Sequence, residues 1–331
     1  MAESTITGYV QIGINNNKTT TEGVATTATT LEDSNANTAI NFTDVEDLGD
    51  GLKLTTNIGL LPSIGSSSTL GGQTTFAALS GGFGELKAGK FGNDQFWTVV
   101  TGDATGYMGT NAAVVNLAFG ATAASTSVDT GGTYTTAAVT GSAEVWTANQ
   151  VRYLLPTIAQ GLTLAYTNKL GGQSDGTYGA ETLTASYTTG AFNAQLTATQ
   201  FKASASLTDT LTSIAANYDF GMAKLYVLST SAKVQDEGTV TGKNIGVSVP
   251  MGAFTLMYNN SSADANLYQR TIDAVDQRSQ DLGVTYAFSK KTTAWVLFTK
   301  YSGATLGQNG GGTVSSDSGF DSMRVMLTHA F

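Results

Sequence analysis

Apolar and polar residues alternate with period two from one end of the chain to the other, the spacing of strands with one apolar and one polar face. Residues 5–14 read Thr-Ile-Thr-Gly-Tyr-Val-Gln-Ile-Gly-Ile and set Ile6, Gly8, Val10, Ile12 and Ile14 on one face. Phe192, Ala194, Leu196 and Ala198 alternate with Asn193, Gln195, Thr197 and Thr199. Leu282, Val284, Tyr286 and Phe288 oppose Asp281, Gly283, Thr285 and Ala287. At the C-terminus, Val325, Leu327, His329 and Phe331 oppose Arg324, Met326, Thr328 and Ala330. Helical spacing is nearly absent, and the abundant Gly and Thr disfavour helix interiors.

The segments between these strands alternate in length. Short ones fall near 46–50, 81–84, 156–161, 189–191, 220–222, 250–252 and 289–292. Long ones, rich in Gly, Ser, Thr, Asn and Asp, fall near 15–37, 60–72, 92–145, 169–180, 202–210, 230–242, 260–278 and 302–320. Seven short and eight long connections predict sixteen strands with both termini at the short-turn end. That is the form of an antiparallel up-and-down transmembrane β-barrel, all-β, with one smooth and one elaborate end. Strands run evenly through residues 1–331, which predicts a single domain. Tyr187, Phe192, Tyr218, Phe220, Phe254, Tyr286 and Phe288 collect beside short turns, where a bilayer barrel carries its aromatic girdle. The alternative is a soluble or surface-attached β-rich structural or adhesin-like protein, in which the apolar face is a core.

Composition narrows the chemistry. Charged residues are 12% of the 331, about half the usual share, and 16 basic against 25 acidic residues give a net charge of −9. An acidic surface is the wrong sign for nucleic acid, which is not expected as a partner. There is no Cys, so thiol chemistry and Cys-bound zinc are excluded, and since alternation sets the single His, His329, on the outer face near the end, no other His is left for a Ser-His-Asp arrangement. No enzyme is expected, and no cofactor. The acids Asp44, Glu46, Asp47 and Asp50 have the oxygens that Ca²⁺ takes but lack EF-hand spacing, so a solvated turn is favoured over an adventitious Ca²⁺ site. The start, Met1-Ala2-Glu3-Ser4-Thr5, has neither a basic nor an apolar leader region. This leaves either a cytoplasmic protein or a mature chain whose signal peptide has been removed.

Several segments resemble the Gram-negative general porins, particularly the β-proteobacterial type. Val45-Glu46-Asp47-Leu48-Gly49-Asp50-Gly51-Leu52 resembles that family's T-E-D-L-G-x-G-L turn. Leu79-Ser80-Gly81-Gly82-Phe83-Gly84-Glu85-Leu86 resembles L-S-G-G-F-G-x-V/L, with Ala88-Gly89-Lys90 following for L-G-R. Gln150-Val151-Arg152-Tyr153 with Pro156 and Gly161, then Ser289-Lys290-Lys291-Thr292, then Arg324 to Phe331, follow in family order. The resemblance implies an outer-membrane homotrimer in contact with lipid and lipopolysaccharide, periplasmic short turns and extracellular long loops. It also implies a third loop, here roughly 92–145, folded into the pore, and passive diffusion of small hydrophilic solutes.

The family crosses its constriction with basic strand residues facing acids on loop three. The loop acids here include Asp94, Asp103 and Asp129, either setting cation preference or acting as solvated turn acids. At the positions that match the basic ladder stand Tyr9, Ala39, Gln73 and Trp146, all uncharged. Trp146 either stacks solutes or packs the loop. Alternation sets Arg152 on the same face as Trp146, about 20 Å along the strand, which assigns it with Lys53 and Lys87 to the periplasmic vestibule. Arg324 is the remaining candidate for a cation near mid-pore. A poorly selective or weakly cation-selective channel is the expectation.

Overall fold

The computed structural model describes residues 3–21, 24–32, 38–62, 71–106, 146–171, 179–202, 208–234, 238–267, 275–302 and 319–331. Seventeen strands form one antiparallel sheet among them. They are β1 (Glu3–Thr21), β2 (Val24–Glu32), β3 (Ala39–Gly49), β4 (Leu52–Leu61), β5 (Gly71–Gly81) and β6 (Gly84–Gly92). A helix, α1 (Asp94–Thr101), follows, then β7 (Trp146–Leu154), β8 (Leu162–Lys169), β9 (Ala180–Thr189), β10 (Phe192–Lys202) and β11 (Thr208–Asp219). The rest are β12 (Lys224–Val234), β13 (Gly238–Met251), β14 (Phe254–Leu267), β15 (Val275–Ala287), β16 (Thr292–Ser302) and β17 (Gly319–Ala330). The first half of β1 pairs with β3 and its second half with β2, so β2 and β3 are two parts of one stave. The other edge of β1 pairs with β17 from Tyr9↔Ala330 to Thr20↔Gly319, which closes a sixteen-stave barrel.

Short turns fall where the sequence sets them, held by local side-chain acceptors. The Asp47 carboxylate accepts from the Gly49 N–H (2.9 Å), and that of Asp219 from the Gly221 N–H (2.7 Å). The long ends differ from expectation. Residues 15–37 read as loop, yet β1 continues to Thr21 and returns as β2. Likewise β12, β13 and β14 run into the segments 230–242 and 260–278. These extensions have no continuous apolar face, and those of β1 and β2 are rich in β-branched Thr, so backbone pairing forms where the hydrophobic alternation has ended.

The two faces of the wall are chemically distinct. Ile6, Val10, Ile12 and Ile14 point outward and are exposed, whereas Gln11 and Asn15 point inward and are buried. On β10 Leu196 points out while Thr197 and Thr199 point in; on β17 Val325 and Leu327 point out and Ser322 in. The outward aromatics beside the short turns are in mutual contact, with ring centroids 4.7 Å apart for Phe254 and Tyr286 and 4.8 Å for Tyr286 and Phe288.

The last residue completes the closure. Phe331 N–H donates to Gly8 O (2.9 Å) and Gly8 N–H donates to Phe331 O (3.3 Å). A Cβ on Gly8 would stand 2.7 Å from the Phe331 ring and closer still to the Ala39 carbonyl. Gly8→Leu should therefore hinder closure by roughly 1–3 kcal/mol of overpacking. The expected readout is a lower yield of the compact form that migrates fast on unheated gels.

Candidate functional site

The inward side of the wall becomes a site where the β6–β7 connection meets it. This connection spans 93–145; residues 107–145, Asp129 among them, lie outside the described residues. Helix α1 begins at once after β6. The Asn93 side chain accepts from Gln95 N–H (2.8 Å) as its N-cap, Asp94 occupies the first turn, and Gly102 N–H donates to Val99 O (3.0 Å) at its end.

One face of α1 is matched to polar side chains that point inward from β10 and β11. The Gln95 amide donates to Thr199 Oγ1 (2.8 Å) and to the Leu211 carbonyl (2.9 Å), and Thr98 Oγ1 meets Thr197 Oγ1 at 2.6 Å. Gly102 follows against the wall, where a Cβ would stand 2.7 Å from Leu228 Cβ and 3.2 Å from Ala215 Cβ. Three asparagines then hold the backbone. Asn217 of β11 donates to Thr101 O (2.8 Å), Asn244 of β13 donates to Gly102 O (2.7 Å), and Asn259 Oδ1 on β14 accepts from Ala104 N–H (3.1 Å). Residues 94–105 thus lie along the inner surface from β8 to β14.

Both described acids of this segment are consumed by these contacts. Asp103, 2% exposed, accepts from Asn259 Nδ2 (2.5 Å), Thr105 N–H (2.8 Å) and Thr105 Oγ1 (2.8 Å). Asp94, 6% exposed, accepts from Thr167 Oγ1 (3.1 Å) and pairs with the Arg152 guanidinium (3.4 Å).

That pair joins Arg152, assigned from the sequence to the vestibule, to one of the loop acids. Asn149 has a φ of 57° and the β6–β7 register shifts between Gly89 and Phe91. Thr147 lies opposite Phe91 and Gln150 opposite Gly89, so three residues of β7 span two of β6. The extra residue interrupts the strict alternation between Trp146 and Arg152, and the Arg152 guanidinium lies against Asp94 at the start of α1. Lys87 is the cross-strand neighbour of Arg152. It pairs with Glu85 (3.3 Å) and lies 4.7 Å from the Phe76 ring centroid.

The other candidates divide into one group and several separate positions. Tyr9 pairs across strands with Ala39 and shares a side-chain hydrogen bond with Gln73, so these three form one uncharged patch. Trp146 meets Trp97 of α1 edge to face, with centroids 6.3 Å apart. Lys53 is exposed at the start of β4, opposite Asp47. Arg324 points inward from β17 between Asn15 and Leu297. Sequence reasoning missed Gln95, Thr98, Asn217, Asn244 and Asn259. Asn is depleted in strands, so three inward asparagines were the readable signal. Among the described residues, no group of three or more His, Cys, Asp or Glu could hold a metal ion.

Comparison with known proteins agrees with this geometry. The family model described as Gram-negative porin matches residues 1–305. Among solved structures, the anion-selective porin from Comamonas acidovorans superposes with a TM-score of 0.77 at 20% identity, over 100% of both chains. The trimer form of OmpT from Vibrio cholerae gives 0.70 at 12% identity over 100% of this chain and 99% of that one. OmpF of Salmonella typhi, in complex with daunomycin, gives 0.67 at 11% over 99% and 97%. No curated protein sequence matches the chain. At these identities the structural likenesses establish the fold.

Proposed function

Because the chain belongs to the Gram-negative porins, a family of non-enzymatic outer-membrane channels, we propose that it is a single-domain, homotrimeric pore for passive diffusion of small hydrophilic solutes. The observation that carries this reading is the closed barrel whose outward face is apolar and whose inward face mixes Thr, Ser, Asn and Gln with Ala, Leu and Met. The β6–β7 connection narrows the lumen as loop three. Support comes from α1 and residues 102–105, which hydrogen-bond to inward side chains of β10, β11, β13 and β14. Outer-membrane lipid and lipopolysaccharide surround the outward face, with the short turns on the periplasmic side.

Charge discrimination is weak. Asp94 is neutralised by Arg152 and Asp103 is enclosed by Asn259 and Thr105, so neither projects an unopposed field. Tyr9, Ala39 and Gln73 add none. Of the two expectations, a poorly selective pore is better supported than a cation-selective one. The similar Comamonas structure is described as anion-selective, which makes the sign of any residual preference the quantity to measure. Planar-bilayer recording tests the whole reading: conductance should rise in groups of three steps, with a reversal potential near zero in a KCl gradient. Absence of conductance at any voltage would overturn the channel, and a strong reversal potential of either sign would overturn weak selectivity.

A further inference from the structure

Among the described residues, the large apolar side chains that stay exposed belong to the outward face of the wall, to short turns or to strand ends, with one exception. Trp97 is 42% exposed and is carried by α1, on the inner side of the barrel. Helical geometry sets its direction. Gln95, Thr98 and Val99 form the buried face of α1, and at about 3.6 residues per turn Trp97 and Val100 lie on the opposite side, toward the lumen. Phe96 and Trp146 meet the indole with ring centroids at 5.1 and 6.3 Å and interplanar angles of 70° and 73°, so neither ring lies parallel on an indole face. Gly92, the cross-strand partner of Trp146, makes room for the indole, because a Cβ there would collide with its nitrogen. Gly92 ends β6 and Trp146 begins β7, so the ring stands at the end of these strands away from the short turns.

One turn further along α1, Thr101 shares the side of Trp97. Its hydroxyl donates to Trp97 O (3.0 Å) and lies 3.5 Å from Gln195 Oε1 on β10. The polar groups beside the ring are thus a hydroxyl and a primary amide, both uncharged, and the acid of the same helix, Asp94, is paired with Arg152. A pyranose chair presents a face of C–H bonds and a rim of hydroxyls. The C–H face fits the electron-rich face of an indole, and the rim fits amide and hydroxyl partners. An organic cation would find no unpaired carboxylate on this helix, and a planar aromatic solute would leave the amide and the hydroxyl unused. We propose that Trp97, with Thr101 and Gln195 beside it, is a binding platform for neutral pyranose sugars. The inference names a substrate class for the channel reading above and rests on that reading.

The test uses the purified full chain in detergent, with conductance recorded on the same preparation. Maltose is the probe, and saturation-transfer NMR reads which of its protons touch the protein and, by titration, its dissociation constant. Transfer should be strongest at the ring C–H protons. Trp97→Ala should weaken maltose binding about tenfold, Trp97→Phe less, and Gln195→Ala several-fold, while Trp295→Phe, on β16, binds as the parent does. Sorbitol, which has the hydroxyls but no ring face, should bind the parent about tenfold more weakly than maltose, and equimolar benzyl alcohol should not displace the sugar. Unchanged maltose binding in folded Trp97→Ala, equal binding of sorbitol, or displacement by benzyl alcohol would overturn the proposal. Should Trp97→Ala fail to fold, unchanged constants in Trp97→Phe and Gln195→Ala together would overturn it. Maltose binding without conductance would instead remove the channel reading and leave the platform, and conductance without maltose binding would do the reverse.

Discussion

Asn244→Ala combined with Asn259→Ala should release residues 102–105 from the inner wall and raise single-channel conductance, with greater open-channel noise. Asn244 holds Gly102 O, and Asn259 both accepts from Ala104 N–H and donates to the Asp103 carboxylate. Each lost neutral hydrogen bond costs about 1 kcal/mol, and a buried carboxylate deprived of a donor costs roughly 1–3 kcal/mol more. Together these approach roughly 4 kcal/mol, enough to favour local opening of a short segment. The barrel ladder between β13 and β14 is untouched, because the exchanged side chains are not part of its backbone pairing. Fast migration of the unheated variant on gels should therefore persist while conductance changes. Unaltered conductance in a folded variant would mean that these asparagines do not position the segment.

The barrel was legible because its signals are local. Short turns are fixed by Asp and Gly chemistry such as Asp47 with Gly49, and the outward face by alternation such as Ile6 to Ile14. The strand extensions were not legible, since Thr-rich stretches on both edges of residues 22–23 have no apolar face to count. The site was legible only in part for a different reason. Tyr9, Ala39 and Gln73 come together because strand register brings them together. The partners of α1 lie about a hundred or more positions away, as with Gln95 and Leu211, and nothing in a local window connects them. The contact of Arg152 with Asp94 joins two separate elements, and the bulge beside Asn149 interrupts the alternation from which the position of Arg152 was reckoned.

Asp94→Asn should move selectivity toward anions, because it unmasks the charge of Arg152. In the parent, Asp94 and Arg152 stand 3.4 Å apart and nearly cancel for an ion passing through the lumen. The amide keeps the acceptor for Thr167 but not the charge, so the guanidinium, less buried than its partner, becomes an uncompensated +1 on the inner wall. A unit charge ~8 Å from the ion path contributes ~0.5 kcal/mol in water. That alters the local concentration of each ion sign about twofold in opposite directions, and the chloride-to-potassium permeability ratio about fourfold. The change should shrink as salt rises, because exposed charges are screened over ~10 Å at 0.1 M. Arg152→Gln should give the opposite sign and a larger structural penalty, since it leaves the buried Asp94 carboxylate without its cation. Reversal potentials in a KCl gradient measure both variants. If Asp94→Asn shifts them toward neutrality from a cation-preferring parent, with no response in Arg152→Gln, the two charges act independently and the pair does not mask the arginine.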